Sequence, residues 1–334
     1  MFPNPQDSLP LPPRPNIDRY KKLAKELVKA CKTSNADVLR EWASDWIGAI
    51  VRLSGLQITP GLPIEIRTWV DKVSEFAARQ MLSEKRKCAL ADAQFVIARS
   101  HGFSGWPSLA RHLEQLTRKN SPAARFEAAA DAIVSGNMRE LKRLLKENPD
   151  LVRERSAREH RATLLHYTSA NGVEGYRQKS PKNIVEIADL LLKSGAEVDA
   201  EADVYGGRCT TLGLAATSVH PHVAGVQEAL LRLLVDRGAA IDGPKAGNKH
   251  SMVVACLANG QPRAGEFLGT HGAKLDLEGA AGLGRVDVVK EFFELDGSLR
   301  APTTKRALQK GFLWACMYGR DNVATFLLDR GADL

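Results

Sequence analysis

Cysteine is scarce and unpatterned in this 334-residue chain: Cys31, Cys88, Cys209, Cys256 and Cys316 are all there is. No CxxC or HxxxH spacing gathers them into a zinc-type ligand set. An odd, scattered total also argues against a disulfide framework, so a reducing, cytoplasmic setting is expected. Cys256 and Cys316 follow Ala255 and Ala315 at matching positions and read as small core fillers. Apolar runs approaching 20 residues are missing as well, which excludes a membrane-spanning helix, and no membrane partner is expected. Met1–Asn16 carries prolines and an Asp where a secretory leader would be cationic and apolar. Gly206-Gly207 lacks the Lys-Ser/Thr that completes a phosphate-binding loop. No cofactor is expected.

What is present is repetition. Gly-Ala recurs at Gly195, Gly238, Gly272 and Gly331, each time closing a leucine-rich amphipathic stretch. A second set of glycines (Gly172, Gly260, Gly284, Gly319) ends a preceding helix. The intervals Gly260–Gly272 and Gly319–Gly331 are both 12, while Gly238–Gly260 and Gly297–Gly319 are both 22. A helix, a tight turn, a second helix and a hairpin fit those lengths, with glycine where positive φ is needed. Between the stops the apolar residues keep helical spacing, as in Ile184, Ile187, Leu190 and Leu191. One helix pair cannot bury such faces alone, so the fold class is all-α and the architecture a stack of helix pairs with short hairpin loops.

Thr163-Leu164-Leu165-His166, continued through Asn171-Gly172 and Leu190-Leu191-Leu192-Lys193-Ser194-Gly195-Ala196, resembles the ankyrin repeat, as does Phe326-Leu327-Leu328-Asp329-Arg330-Gly331-Ala332-Asp333. The resemblance covers residues 121–334 as about six repeats, some degenerate, and implies an ankyrin solenoid. It carries no catalytic residues. It implies instead that Thr163 caps a helix and that His166 bonds backbone between repeats. Gly213, Val254, Glu278 and Leu313 stand where other copies would hold that histidine, so no repeated histidine chemistry follows.

Residues 17–120 show no such period and read as a small helical domain. Helices are expected over 17–31, 37–53, from Pro63, from Leu90 and after Trp106-Pro107. Residues 1–16, with six prolines, read as an extended or disordered segment lying along the body. The stretch Leu90–Leu109 resembles helical N-terminal regions of bacterial ankyrin proteins and also a helix-turn-helix. Charge is uneven: 19 Lys and Arg against 12 Asp and Glu in residues 1–120, 28 against 27 in the remainder. Weak nucleic-acid binding by the basic domain is therefore a third functional reading, disfavoured because the charges are spread over several helices.

Two repeats carry insertions between their paired helices, at 173–183 and 218–225. Both should emerge side by side on one rim. The leading reading is a protein–protein interaction scaffold that uses its concave face and these insertions. The alternative is a small-molecule, anion-binding or enzymatic site at the same rim. Its residues would be Tyr176, Arg177, Lys179 and Lys182, with His166, Tyr205, His220 and His222. Cys209, Thr210 or Ser169 near His166 or His220 is the weak nucleophile candidate of that alternative. In the fifth repeat Gly272–Gly284 spans only 12, which shortens its hairpin, and Ala280, Ala281 and Gly282 suit close packing. The last repeat is expected to leave Phe312, Trp314, Phe326 and Leu327 partly covered, a route to self-association.

Overall fold

The computed structural model describes residues 4–54, 62–82, 88–118, 120–243 and 251–333. The protein is mostly helical, with one two-stranded sheet. In the N-terminal domain, α1 (Ile17–Cys31), α2 (Ala36–Ser54), α3 (Leu62–Met81), α4 (Leu90–Ser100) and α5 (Trp106–Leu116) follow the expected bounds closely. Their inward residues, among them Leu27, Leu39, Ile47, Val73, Ile97 and Leu109, form one apolar core. Several of these helices begin where the chain supplies a start. Asn16 accepts from the Asp18 N–H, and Pro107 sits in the first turn of α5.

Helix pairs then succeed one another: α6 (Pro122–Val134) with α7 (Met138–Glu147), then a 3₁₀ turn (Leu164–Ser169) with α8 (Ile184–Lys193). After the hairpin β1 (Glu201–Val204) and β2 (Gly207–Thr210) come α9 (Thr211–Ala216), the one-turn α10 (Val219–Val223) and α11 (Gln227–Asp236). The last pairs are α12 (Met252–Ala258) with α13 (Pro262–Thr270), α14 (Leu277–Leu283) with α15 (Val286–Lys290), and α16 (Lys305–Met317) with α17 (Asp321–Leu328). First members stack on one another from α6 through the 3₁₀ turn to α9, and again from α12 through α14 to α16. Among second members, α8, α11 and α13 pack in succession and α15 packs on α17. All nine punctuating glycines, from Gly172 to Gly331, lie at positive φ. At Gly284 the reason is direct: it closes α14 in the left-handed conformation.

Close packing of the small-faced α14 is real. A Cβ on Gly282 would meet Leu257 Cδ1 at 2.4 Å, and α14 lies against α16. Ser251, Thr304 and Asp276 each cap a first helix through the side chain.

Five expectations need correction. Cys31 and Cys88 form a disulfide, with Cα atoms 5.8 Å apart, because α1 and the residue pair before α4 meet in space; scatter in sequence did not show this. Cys316 is exposed, unlike buried Cys256, because it lies on the outward side of the last first-row helix. Of the two readings of the proline-rich segment, disorder is overturned over residues 4–16, which lie along the body as the other reading expected: Leu9 is fully buried, its N–H donates to Ser100 O, and its carbonyl accepts from His101 Nδ1. The first helix of the second repeat is a 3₁₀ turn, since the Thr168 and Ser169 hydroxyls take the Leu165 and His166 carbonyls that an α-helix would use. Finally, Phe312 and Leu327 are buried, whereas Trp314 and Phe326 are half-buried as expected, and Leu313, Met317 and Leu328 are exposed large apolar residues of the last pair. Among the described residues, no helix is long and apolar enough to cross a membrane.

Candidate functional site

β1 and β2 pair antiparallel through a two-residue turn, Tyr205-Gly206, with φ of 54° and 77°. Two successive positive φ values give the twist a tight hairpin favours, which Gly206 accepts without strain. The hairpin stands beside an open groove of about 960 Å³ that runs between the 3₁₀ turn, α9 and α12. Its wall is locked by side chains. Tyr205 Oη donates to Asn171 Oδ1 (2.6 Å), and Asn171 Nδ2 donates to the Leu214 carbonyl and to Thr217 Oγ1 (3.2 Å each). Arg208 pairs with Glu201 across the hairpin. His220, Met252 and Asn259 complete the far side.

The structure separates the eight residues expected at one rim. Tyr205 and His220 line the groove. His166 lies buried behind it: Nδ1 accepts from the Thr163 N–H (3.1 Å), and Nε2–H donates to the Cys209 carbonyl (3.3 Å). Burial pushes His166 down to about 4, so it is neutral and fully occupied. Burial, with Glu201 nearby, raises the Cys209 thiol, and its sulfur contacts only the Val204 carbonyl (3.8 Å). This is no nucleophile–base dyad. Lys182 Nζ donates to the Ala224 carbonyl (2.7 Å), so the two insertions do meet. Lys179 is exposed, and His222 faces a separate hollow with Gln227 and Arg263. Among the described residues no group of three His, Cys, Asp or Glu could hold a metal.

Tyr176 and Arg177 leave the rim altogether. The insertion folds inward and places Arg177, 4% exposed, in a charge network that joins the N-terminal domain to the first two repeats. Arg177 pairs with Glu127 (2.7 Å), Asp131 (2.7 Å) and Glu174 (3.4 Å). Arg158, 1% exposed, pairs with Glu127 (2.6 Å) and Glu174 (2.8 Å) and lies over the Phe103 ring. Tyr176 Oη accepts from Arg158 (3.3 Å), and its ring lies 5.4 Å from the Arg177 guanidinium. Burial works to raise Glu127, but Arg158 and Arg177 outweigh it and hold the carboxyl at about 2; Glu174 is driven down for the same reason. Two guanidinium groups therefore face two ionised carboxylates inside the protein; His112, which burial keeps neutral, lies 3.5 Å from Glu127, and His160 lies 3.6 Å from Glu174. Arg177 has no face left for an outside anion.

Glu127, Arg158 and Glu174 were not legible as a site. They lie up to 47 residues apart, Glu127 sits in the alanine-rich α6, and nothing local marks a charge whose partner arrives from another repeat. The α4–α5 elbow that resembles a helix-turn-helix is likewise covered. His101 and Phe103 are fully buried beneath Leu9 and Arg158, and α5 packs on α1, α4 and α6. No protein-family model matches the chain, and no curated protein matches it.

Proposed function

We propose that the chain is an ankyrin-type repeat scaffold that binds another protein along the groove between the hairpin and the first-row helices α9 and α12. The observation that carries this reading is the preformed wall, in which Tyr205, Asn171 and Thr217 are already hydrogen-bonded to one another. A wall ordered in advance loses little side-chain freedom on binding, so contact energy is retained as affinity. The floor is built from small and apolar groups, Gly213, Leu214 and Ala255, which admit a partner's side chains between polar edges. The 173–183 insertion supports this face from behind through Arg177 and contributes Gln178 to the groove lining.

The anion-binding or enzymatic alternative loses its central residues: Arg177 is consumed by carboxylates and His166 by backbone. Nucleic-acid binding by the basic domain remains the weakest reading, because Lys21, Arg40 and Arg79 already pair with Asp18, Asp71 and Glu75. The scaffold role does not depend on compartment. The sequence favours the cytoplasm, whereas the Cys31–Cys88 bond favours oxidising surroundings. A photo-crosslinking residue at Asn259 in cells should give one defined protein adduct, reduced about tenfold by Tyr205→Ala with Asn171→Ala. The same probe at Arg143 on α7 should give none. Equal labelling at both positions would remove the groove from consideration.

A further inference from the structure

A second groove, of about 870 Å³, lies in the N-terminal domain between α1 and α2. Its floor is apolar: Leu23, Ala30, Trp42, Trp46, Ile50 and Leu53. The two indoles pack at 5.2 Å, and Leu53 is 45% exposed at one end. Trp42 is 7% exposed, and its indole N–H has no acceptor among the described residues.

The two lips carry opposite charge. Arg19, Lys22 and Lys29 stand on the α1 side; Glu41 and Asp45 stand on the α2 side, where Arg52 ends the acidic run. Lys22 shares its charge with Glu26, but Arg19, Lys29, Glu41 and Asp45 make no ion pair among the described residues. Such charges are solvated and cheap to recruit, and they select a partner by sign more than by raw affinity. The channel follows α1 from Asn16 to Thr33, about 25 Å at the helical rise, the length of nearly five helical turns.

We propose that this groove docks an amphipathic α-helix of another protein. The helix presents an apolar stripe to the indole floor, acidic residues toward α1 and basic residues toward α2. A second copy of this chain is the poorer occupant. A two-fold contact sets the same patch against itself, and two hollows facing each other leave an unfilled channel. The occupant has to be convex. This site shares no residue with the repeat groove, so it stands or falls independently of the role proposed there.

The test uses the full chain and three labelled helical peptides of about 18 residues with one leucine stripe. One peptide has a Glu flank and a Lys flank, one has Glu on both flanks, one has Lys on both. Wild-type protein should bind the mixed peptide about tenfold more tightly than either other. Glu41→Lys with Asp45→Lys makes both lips basic on exposed positions, so folding is spared and preference should pass to the all-Glu peptide. Hydrogen exchange should slow on α1 and α2 alone. Equal affinities, no binding up to about 1 mM, protection on other helices, or a dimer that closes this face would each overturn the proposal.

Discussion

Arg158 concentrates the chemistry of the joint between the two parts of the chain. It is 1% exposed, and its charge is tolerated because Glu127 and Glu174 lie within 2.8 Å. Removing one member of such a set leaves the others buried and unbalanced, which costs about 3–5 kcal/mol. Arg158→Met should therefore lower unfolding stability by that amount in urea titration. Arg158→Met combined with Glu174→Leu should recover much of it, since Arg177 and Glu127 still neutralise each other. If the double variant is as weak as the single one, the network contributes more than charge balance.

Gly175, in the first insertion, shows how elements hold one another. Its backbone is ordinary, but a Cβ there would lie 2.4 Å from the Gln6 carbonyl oxygen. The backbone of the N-terminal segment and that of the insertion touch, and side chains have no room. Gly175→Ala should cost about 1–3 kcal/mol and release residues 4–13, read as new cleavage there in limited proteolysis with mass spectrometry. Closing a loop of 57 residues through Cys31–Cys88 restricts the unfolded chain. Reduction should lower stability by about 4 kcal/mol, measured by calorimetry with and without reductant. The helices themselves were legible, because start signals, apolar spacing and glycine stops act within a few residues. The 3₁₀ turn at Leu164–Ser169 was not, since it depends on which hydroxyls capture which carbonyls.

At the scale of the whole molecule, acid is the natural challenge. Burial pushes His101, His112 and His166 each down to about 4, so all three are neutral when folded and protonate near 6.5 when unfolded. The unfolded chain then binds more protons between those values, and stability falls as pH drops through that window. Each histidine contributes up to ~1.4 kcal/mol per pH unit, so the three together give a slope of ~4 kcal/mol per unit near pH 5. Glu127 and Glu174, both depressed by the arginines, contribute stability that is full above the usual carboxylate range; Glu127 loses it only as pH falls toward about 2, and Glu174 likewise only well below the usual range. Urea midpoints across pH 4–8 should be flat above 7 and steep below 6.5. A flat profile down to 4.5 would show that these rings charge without unfolding the protein.

The amino-acid order by itself determined the helices, their pairing and the places where the chain turns, because helical periodicity and positive-φ glycines are local properties. It also located both insertions and placed them side by side, and the structure adds the contact between them, from Lys182 to the Ala224 carbonyl. Only the tertiary structure decided what the inserted residues do. Arg177 could have faced solvent or the interior with the same neighbours in sequence; it turns inward because Glu127, 50 residues earlier, and Glu174 wait there. The same holds for Cys31 with Cys88 and for the channel between α1 and α2. Pairing across distance depends on how stacked helices bring their faces together, and no window of residues contains that information.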